Sequence, residues 1–123
     1  MIGSVNPNRE AVVVVRLRAV GGTELLIPTV IDTGFNQWLT LTPQYIREIG
    51  FKFRTETRYS LAGGSDRFAR LFEAEIEWLG GWKPILILET DGDVLLGMAM
   101  LQGSFLGIEA TDGGRVEIRP LKT

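Results

Sequence analysis

An unbroken β-branched run, Ala11-Val12-Val13-Val14-Val15, continues into Arg16-Leu17-Arg18 and predicts a strand whose first half is buried on both faces. Gly21-Gly22 offers a turn, and Glu24 to Ile31 reads as the returning strand. Pro28 lies inside that second run; it has no N–H to donate to a ladder, so an edge or a bulge is expected there. A short helix follows. Thr42 can cap it, Pro43 suits its first position, Tyr45, Ile46 and Ile49 give it an apolar side, and Gly50 stops it.

Phe51 to Ser60 reads as a strand, Ala62-Gly63-Gly64-Ser65 as a hairpin tip, and Phe68 to Leu79 as the strand leading away. In the last of these, Phe72, Ala74, Ile76 and Trp78 alternate with Glu73, Glu75 and Glu77, the pattern of a strand with one wet face. Gly80-Gly81 turns the chain into Trp82 to Leu88, and the polar loop Glu89-Thr90-Asp91-Gly92-Asp93 follows. After Val94-Leu95-Leu96-Gly97, the helix formers Met98 to Gln102 predict one or two helical turns, ended by Gly103. Ser104 to Leu121 reads as a final hairpin turning at Asp112-Gly113-Gly114. Regularly spaced short strands with glycine turns predict an all-β domain, a sandwich or a closed barrel, with two short helices. No linker, repeat or low-complexity segment divides residues 1–123, which are expected to form a single domain.

Composition narrows the chemistry. The chain has 123 residues, 45% of them hydrophobic, enough for one core and too few for a two-lobed enzyme. A net charge of -2 with interspersed signs argues against a nucleic-acid partner. The start, Met1-Ile2-Gly3-Ser4-Val5-Asn6-Pro7, is unlike a secretory signal, and runs such as Ile85 to Leu88 are too short to span a bilayer; a cytoplasmic location is expected. The chain has no cysteine and no histidine. Thiolate nucleophiles, Ser-His-Asp triads and the usual zinc ligand sets are therefore excluded, and hydrolytic chemistry would fall to carboxylates, Ser/Lys or Thr.

The most informative stretch is Thr29-Val30-Ile31-Asp32-Thr33-Gly34-Phe35, where an apolar strand runs straight into a carboxylate. A buried strand end holds such a group rigidly, and Gly34 lets backbone pass close to whatever binds. A plain reading also exists, in which Asp32 satisfies local backbone donors at a strand-to-turn junction. The order of motifs adds weight: apolar strand, Asp32-Thr33-Gly34, short helix, hairpin tip at Gly63-Gly64, then Val94-Leu95-Leu96-Gly97 opening a helix. From about Val12 to Gly103 this order resembles the retropepsin-like family of aspartic proteases, and the departures described below point to its cellular, non-viral branch.

The resemblance implies an acid-protease closed barrel in which Asp32 is catalytic, Thr33 locks two catalytic loops across a dimer axis, and Gly34 takes a substrate backbone contact. It further implies a flap over residues 59–66, with Gly63 and Gly64 at its tip. Phe35, Asn36, Leu61, Ala62, Gly63, Gly64 and Leu95 would then contact a peptide or protein substrate, with no metal or cofactor. A carboxylate acid/base pair needs two aspartates, and like charges in contact share a proton. Asp112-Gly113-Gly114 lacks the hydroxyl residue and sits in a different context, so the second carboxylate must come from another copy, and a homodimer is expected.

Two departures stand out. Phe35 occupies a place where well-studied members have Ala or Ser, so it would narrow the cleft or shape a side-chain pocket. The viral enzymes carry an acidic residue just beyond it, paired with an Arg after the second glycine; here these are Asn36 and Met98, so neither charge is left alone. Which of Met1 to Glu10 and Ser104 to Leu121 would pair across the dimer stays open. Elsewhere, residues 89–93 read as a solvated turn rather than a calcium loop, Trp78 and Trp82 as cross-strand packing, and the scattered arginines as wet faces. Two functions follow: an aspartic endopeptidase, or a non-catalytic dimerisation or peptide-binding module of the same fold.

Overall fold

In the computed structural model, which describes residues 1–60 and 64–122, the valine-rich run forms β2 (Ala11–Arg18) and pairs with β3 (Glu24–Ile31) in an antiparallel hairpin. Gly22, at φ +96, supplies the left-handed step of the turn. One expectation fails here. Val13, Val15 and Leu17 are buried, yet Val14 between them is 55% exposed. Only one face of β2 meets the core, so side chains alternate whatever their composition. The valines reflect β propensity, not burial on both faces. The expectation for Pro28 holds: among the described residues β3 has a second neighbour only at Val30 and Ile31, which leaves Pro28 at an edge.

The remaining elements are β1 (Ile2–Val5), β4 (Leu39–Leu41), α1 (Pro43–Ile49), β5 (Lys52–Ser60), β6 (Asp66–Trp78), β7 (Gly81–Glu89), β8 (Leu95–Leu96), α2 (Met98–Leu101), β9 (Ser104–Ile108) and β10 (Arg115–Pro120). The strands run in the order β5-β6-β7-β4-β8-β3-β2-β1-β10-β9. An additional pairing of β2 with β6, Leu17 opposite Ile76 and Arg18 opposite Glu75, closes β6-β7-β4-β8-β3-β2 into a ring. The class is all-β. Inside the ring lie Val13, Val15, Leu17, Leu39, Ile76, Ile87, Leu96 and Met100, each at most 1% exposed. Each such side chain contributes about 1.5–3 kcal/mol relative to exposure.

Both predicted helices form. Thr42 precedes α1 in an extended conformation, though its hydroxyl makes no capping bond; Gly50, at φ +84, ends it by donating to the Ile46 carbonyl. The last hairpin also forms, with Gly113 at φ +76 between β9 and β10. β1 and β4 have no counterpart in the sequence reading. β4 has three residues, all buried, too short to show a period. β1 is held between β2 and β10, and a Cβ on its Gly3 would meet the Val12 carbonyl oxygen.

Trp78 and Trp82 do not stand opposite one another in the β6–β7 ladder. Trp78 lies opposite Gly81 and is buried, whereas Trp82 lies opposite Glu77, with the Arg18 guanidinium 3.9 Å from its ring centroid. Among the described residues, no helix is long and apolar enough to cross a membrane.

The β5–β6 hairpin has a bulge where Phe53 faces Phe72 and Thr55 faces Leu71, leaving Arg54 as the extra residue. From Phe72 onward the even-numbered residues of β6 face the main core; Ala69 and Leu71 face the other side. There they join Leu88 and Leu86 of β7 in a second, smaller apolar cluster. Of the expected flap over residues 59–66, Leu61, Ala62 and Gly63 fall outside the described residues. Gly64 is exposed, with φ +83.

Candidate active site

The site is built from the end of β3 outward. Val30 and Ile31 run parallel to Leu95 and Leu96, and β4 packs on the other side of β8 through Leu39 and Leu96. The Asp32 N–H continues this pairing by donating to the Leu96 carbonyl at 2.9 Å. Upstream, the buried Thr29 hydroxyl donates to the Val13 carbonyl at 2.9 Å, tying β3 to β2 before the carboxylate is reached. The carboxylate therefore projects from a strand end fixed on two sides.

After Asp32 the chain turns tightly. The Gly34 N–H donates to Asp32 Oδ1 at 2.9 Å, and the Phe35 N–H donates to the Asp32 carbonyl at 3.1 Å. This is the local donor arrangement that a plain strand-to-turn reading foresees. It also fixes the rotation of the carboxylate and engages one oxygen only; Oδ2 has no intrachain partner among the described residues. Asp32 is partly exposed, and Thr33 and Gly34 are exposed.

The loop is then stitched to the start of α2. Gly97 N–H donates to the Trp38 carbonyl at 3.0 Å, Met98 N–H to the Phe35 carbonyl at 2.8 Å, and Ala99 N–H to the Gln37 carbonyl at 3.3 Å. Gly97 has no room for a side chain: a Cβ there would lie 2.2 Å from the Gln37 oxygen and 2.5 Å from Phe35 Cδ2. The apolar-apolar-glycine motif is thus the backing of the Asp32 loop, and glycine is needed for close approach. Thr40, 3% exposed, adds a second brace by donating to the Asp93 carbonyl at 2.9 Å and accepting from the Leu95 N–H at 2.8 Å.

Of the residues singled out in the sequence, Asp32, Thr33, Gly34 and Phe35 are brought together with Leu95, Leu96 and Gly97. Leu95 is partly exposed on β8, and Asn36 is exposed on the loop. Phe35 is partly buried and packs on the second apolar cluster. Thr29, Thr40 and Trp38 join the scaffold without having been foreseen. A lone Thr in a β-branched run looks like any other strand former, so no local signal distinguishes it.

Among the described residues, no three acidic side chains gather as a metal ion would require, residues 89–93 included. Two concavities, of about 460 Å³ beside Trp38, Glu73 and Pro84 and about 510 Å³ beside Val5, Pro7 and Ile108, do not include Asp32.

Neither a protein-family model nor a curated protein matches the sequence. Solved structures do match. The EIAV protease, in complex with the inhibitor HBY-793, is 17% identical, with a TM-score of 0.59 over 79% of this chain and 89% of that one. A retropepsin-like aspartic protease from Rickettsia conorii is 15% identical, with a TM-score of 0.58 over 99% of this chain and 91% of that one. Ring topology, strand-end carboxylate and these likenesses agree: the chain has the retropepsin-like aspartic protease fold.

Proposed function

We propose that this chain is half of an aspartic endopeptidase, completed when two copies bring their Asp32 loops together on a two-fold axis. The observation that carries this reading is the Asp32 carboxylate itself. It is held at a fixed strand end, on a partly exposed residue, with one oxygen bonded to the Gly34 N–H and the other without an intrachain partner among the described residues.

In the paired state one carboxylate takes a proton from a water lying between the two, and the water oxygen attacks the peptide carbonyl. The other carboxyl donates its proton to the carbonyl oxygen, giving a neutral gem-diol. Collapse of that intermediate breaks the C–N bond; the amine leaves with a proton, and the carboxylates return to their starting state. Thr33 bridges the two loops, exposed Gly34 offers backbone to the substrate, and the hairpin of residues 59–66 covers it. Phe35, Asn36 and Leu95 line the cleft with the hairpin tip. Substrates are peptide segments in extended conformation.

The test is cleavage of a mixed peptide library by the wild type and by Asp32→Asn, alongside sedimentation to establish the dimer. Asn keeps an oxygen for the Gly34 N–H, so the variant retains its fold and loses its activity. Cleavage that survives in Asp32→Asn refutes the proposal. The aromatic Phe35 beside the loop favours one other reading, a non-catalytic peptide-binding or dimerisation module. A dimer that holds its two Asp32 carboxylates beyond hydrogen-bonding reach selects that alternative.

A further inference from the structure

Phe35 joins two parts of the site that the sequence keeps far apart. Its backbone belongs to the Asp32 loop, where its N–H meets the Asp32 carbonyl and its own carbonyl accepts from Met98. It packs against the cluster formed by Ala69 and Leu71 of β6 and Leu88 of β7, a cluster that Leu86 also flanks. These residues lie on the face of the β6–β7 pair that turns away from the main core, since Phe72 and Ala74 of β6 and Ile85 and Ile87 of β7 supply the inner face. The ring therefore fills the space between the Asp32 loop and the base of the hairpin arm.

The ring also has no room to retreat. Phe35 Cδ2 lies 2.5 Å from where a Cβ on Gly97 would be, and behind Gly97 runs the backbone that ties the loop to α2. Aliphatic side chains pack the ring from the hairpin side. Yet Phe35 is only partly buried, and it adjoins exposed Gly34. A peptide whose carbonyl reaches Asp32 must lie across this loop and under the hairpin. A side chain directed toward the β6–β7 base meets an aromatic wall.

We propose, resting on the peptidase reading above, that Phe35 limits the size of the substrate side chains nearest the scissile bond, so that this chain takes peptides with glycine, alanine or serine there. Two-fold symmetry places one such ring on each side of the bond, and the limit applies to both flanks within two residues of it. A pocket that loses an aromatic ring gains space for several methylenes, and each misplaced or newly accepted methylene changes selection by about tenfold or more.

The experiment uses two matched peptide panels in which one flanking position at a time runs from Ala through Val and Leu to Phe. One panel has a statine core and is read by calorimetry as binding; the other is cleavable and is read by kcat/KM. Wild type, Phe35→Ala and Phe35→Leu are compared, with thermal melts to confirm folding. The wild type is expected to favour Ala by at least about tenfold over Leu and Phe. Phe35→Ala is expected to accept Leu and Phe at least about tenfold better than the wild type does, and Phe35→Leu to fall between. If Phe35→Ala does not fold, the Leu variant carries the comparison.

A size shift in binding without any cleavage supports the role of Phe35 and refutes the peptidase reading. Cleavage with the same size profile in all three proteins overturns the role of Phe35 and leaves the peptidase reading standing. A uniform loss across every peptide in the variants marks Phe35 as a structural brace and also overturns the size limit. If the wild type binds none of the panel, both fall.

Discussion

Gly97→Ala isolates the contact between the Asp32 loop and α2, because nothing about the backbone at that position requires glycine. Its φ of -105 and ψ of -178 are extended values that alanine adopts freely. The obstacle is space. A Cβ would lie 2.2 Å from the Gln37 carbonyl oxygen, 2.6 Å from the Phe35 oxygen and 2.5 Å from Phe35 Cδ2, so the loop must move by about an ångström. Those same oxygens accept from Ala99 and Met98 at 3.3 and 2.8 Å, and the Gly97 N–H itself donates to Trp38 at 3.0 Å. Moving the loop by that much takes all of these bonds past useful length.

Each lost bond costs about 0.5–1.5 kcal/mol, and residual overpacking adds to it, so the variant should lose about 3 kcal/mol. For a domain of this size that lowers Tm by about 10–15 °C. Urea unfolding and calorimetry at one fixed protein concentration measure it, since self-association of the kind proposed above would make both depend on concentration. Gly103→Ala is the control. Gly103 has φ +83 and nothing within 4 Å of a built Cβ, so it carries only the left-handed strain of about 1–2 kcal/mol. If Gly97→Ala costs no more than Gly103→Ala, the packing argument is wrong.

Thr40→Val removes a buried hydroxyl that serves the Asp93 carbonyl and the Leu95 N–H, so urea unfolding should show a loss of about 2–3 kcal/mol. Leu17→Ala empties a fully buried position where β2 closes on β6, and the same assay should give a loss of about 2–5 kcal/mol. Asp32→Asn should change stability by no more than about 0.5 kcal/mol while abolishing cleavage, because the amide oxygen still accepts from Gly34. Trp82→Ala removes a partly buried ring from beneath Arg18, and thermal melts should register a loss of about 1 kcal/mol or somewhat more.

What could be read from the sequence depended on whether the cause was local. Pro43 and Gly50 bound α1, and Gly22 and Gly113 sit in turns, because helix ends and turns answer to nearby residues. The glutamates of β6 marked its wet face for the same reason. The exposure of Val14 was hidden, since β-branched residues serve exposed and buried strand positions alike. β4 was hidden because its three residues are a strand only by virtue of β7 and β8, both more than forty residues later. The same division holds at the site. Asp32-Thr33-Gly34 was visible as a junction, whereas its nearness to Leu96-Gly97 depends on the pairing of β3 with β8, more than sixty residues apart. The packing of Phe35 on the cluster of Ala69, Leu71 and Leu88 had no local sign, because those partners lie more than thirty residues later in the chain.

The missing charges at Asn36 and Met98 can now be placed in this picture. An ion pair between those positions would bind the loop to α2 through side chains, at the cost of desolvating both. In this chain the link runs through backbone, from Met98 to the Phe35 carbonyl and from Ala99 to the Gln37 carbonyl, while Asn36 is exposed and Met98 is 45% exposed. Backbone bonds of this kind constrain the Cα trace and tolerate many side chains, provided the approach stays close. Gly97 makes the approach possible and the Phe35 ring fills the space beside it. The large residue after the Asp-Thr-Gly turn and the absent ion pair are then two parts of one solution, in which close packing does the work of charge. A loop held this way should keep its geometry at high ionic strength, where an exposed pair would weaken.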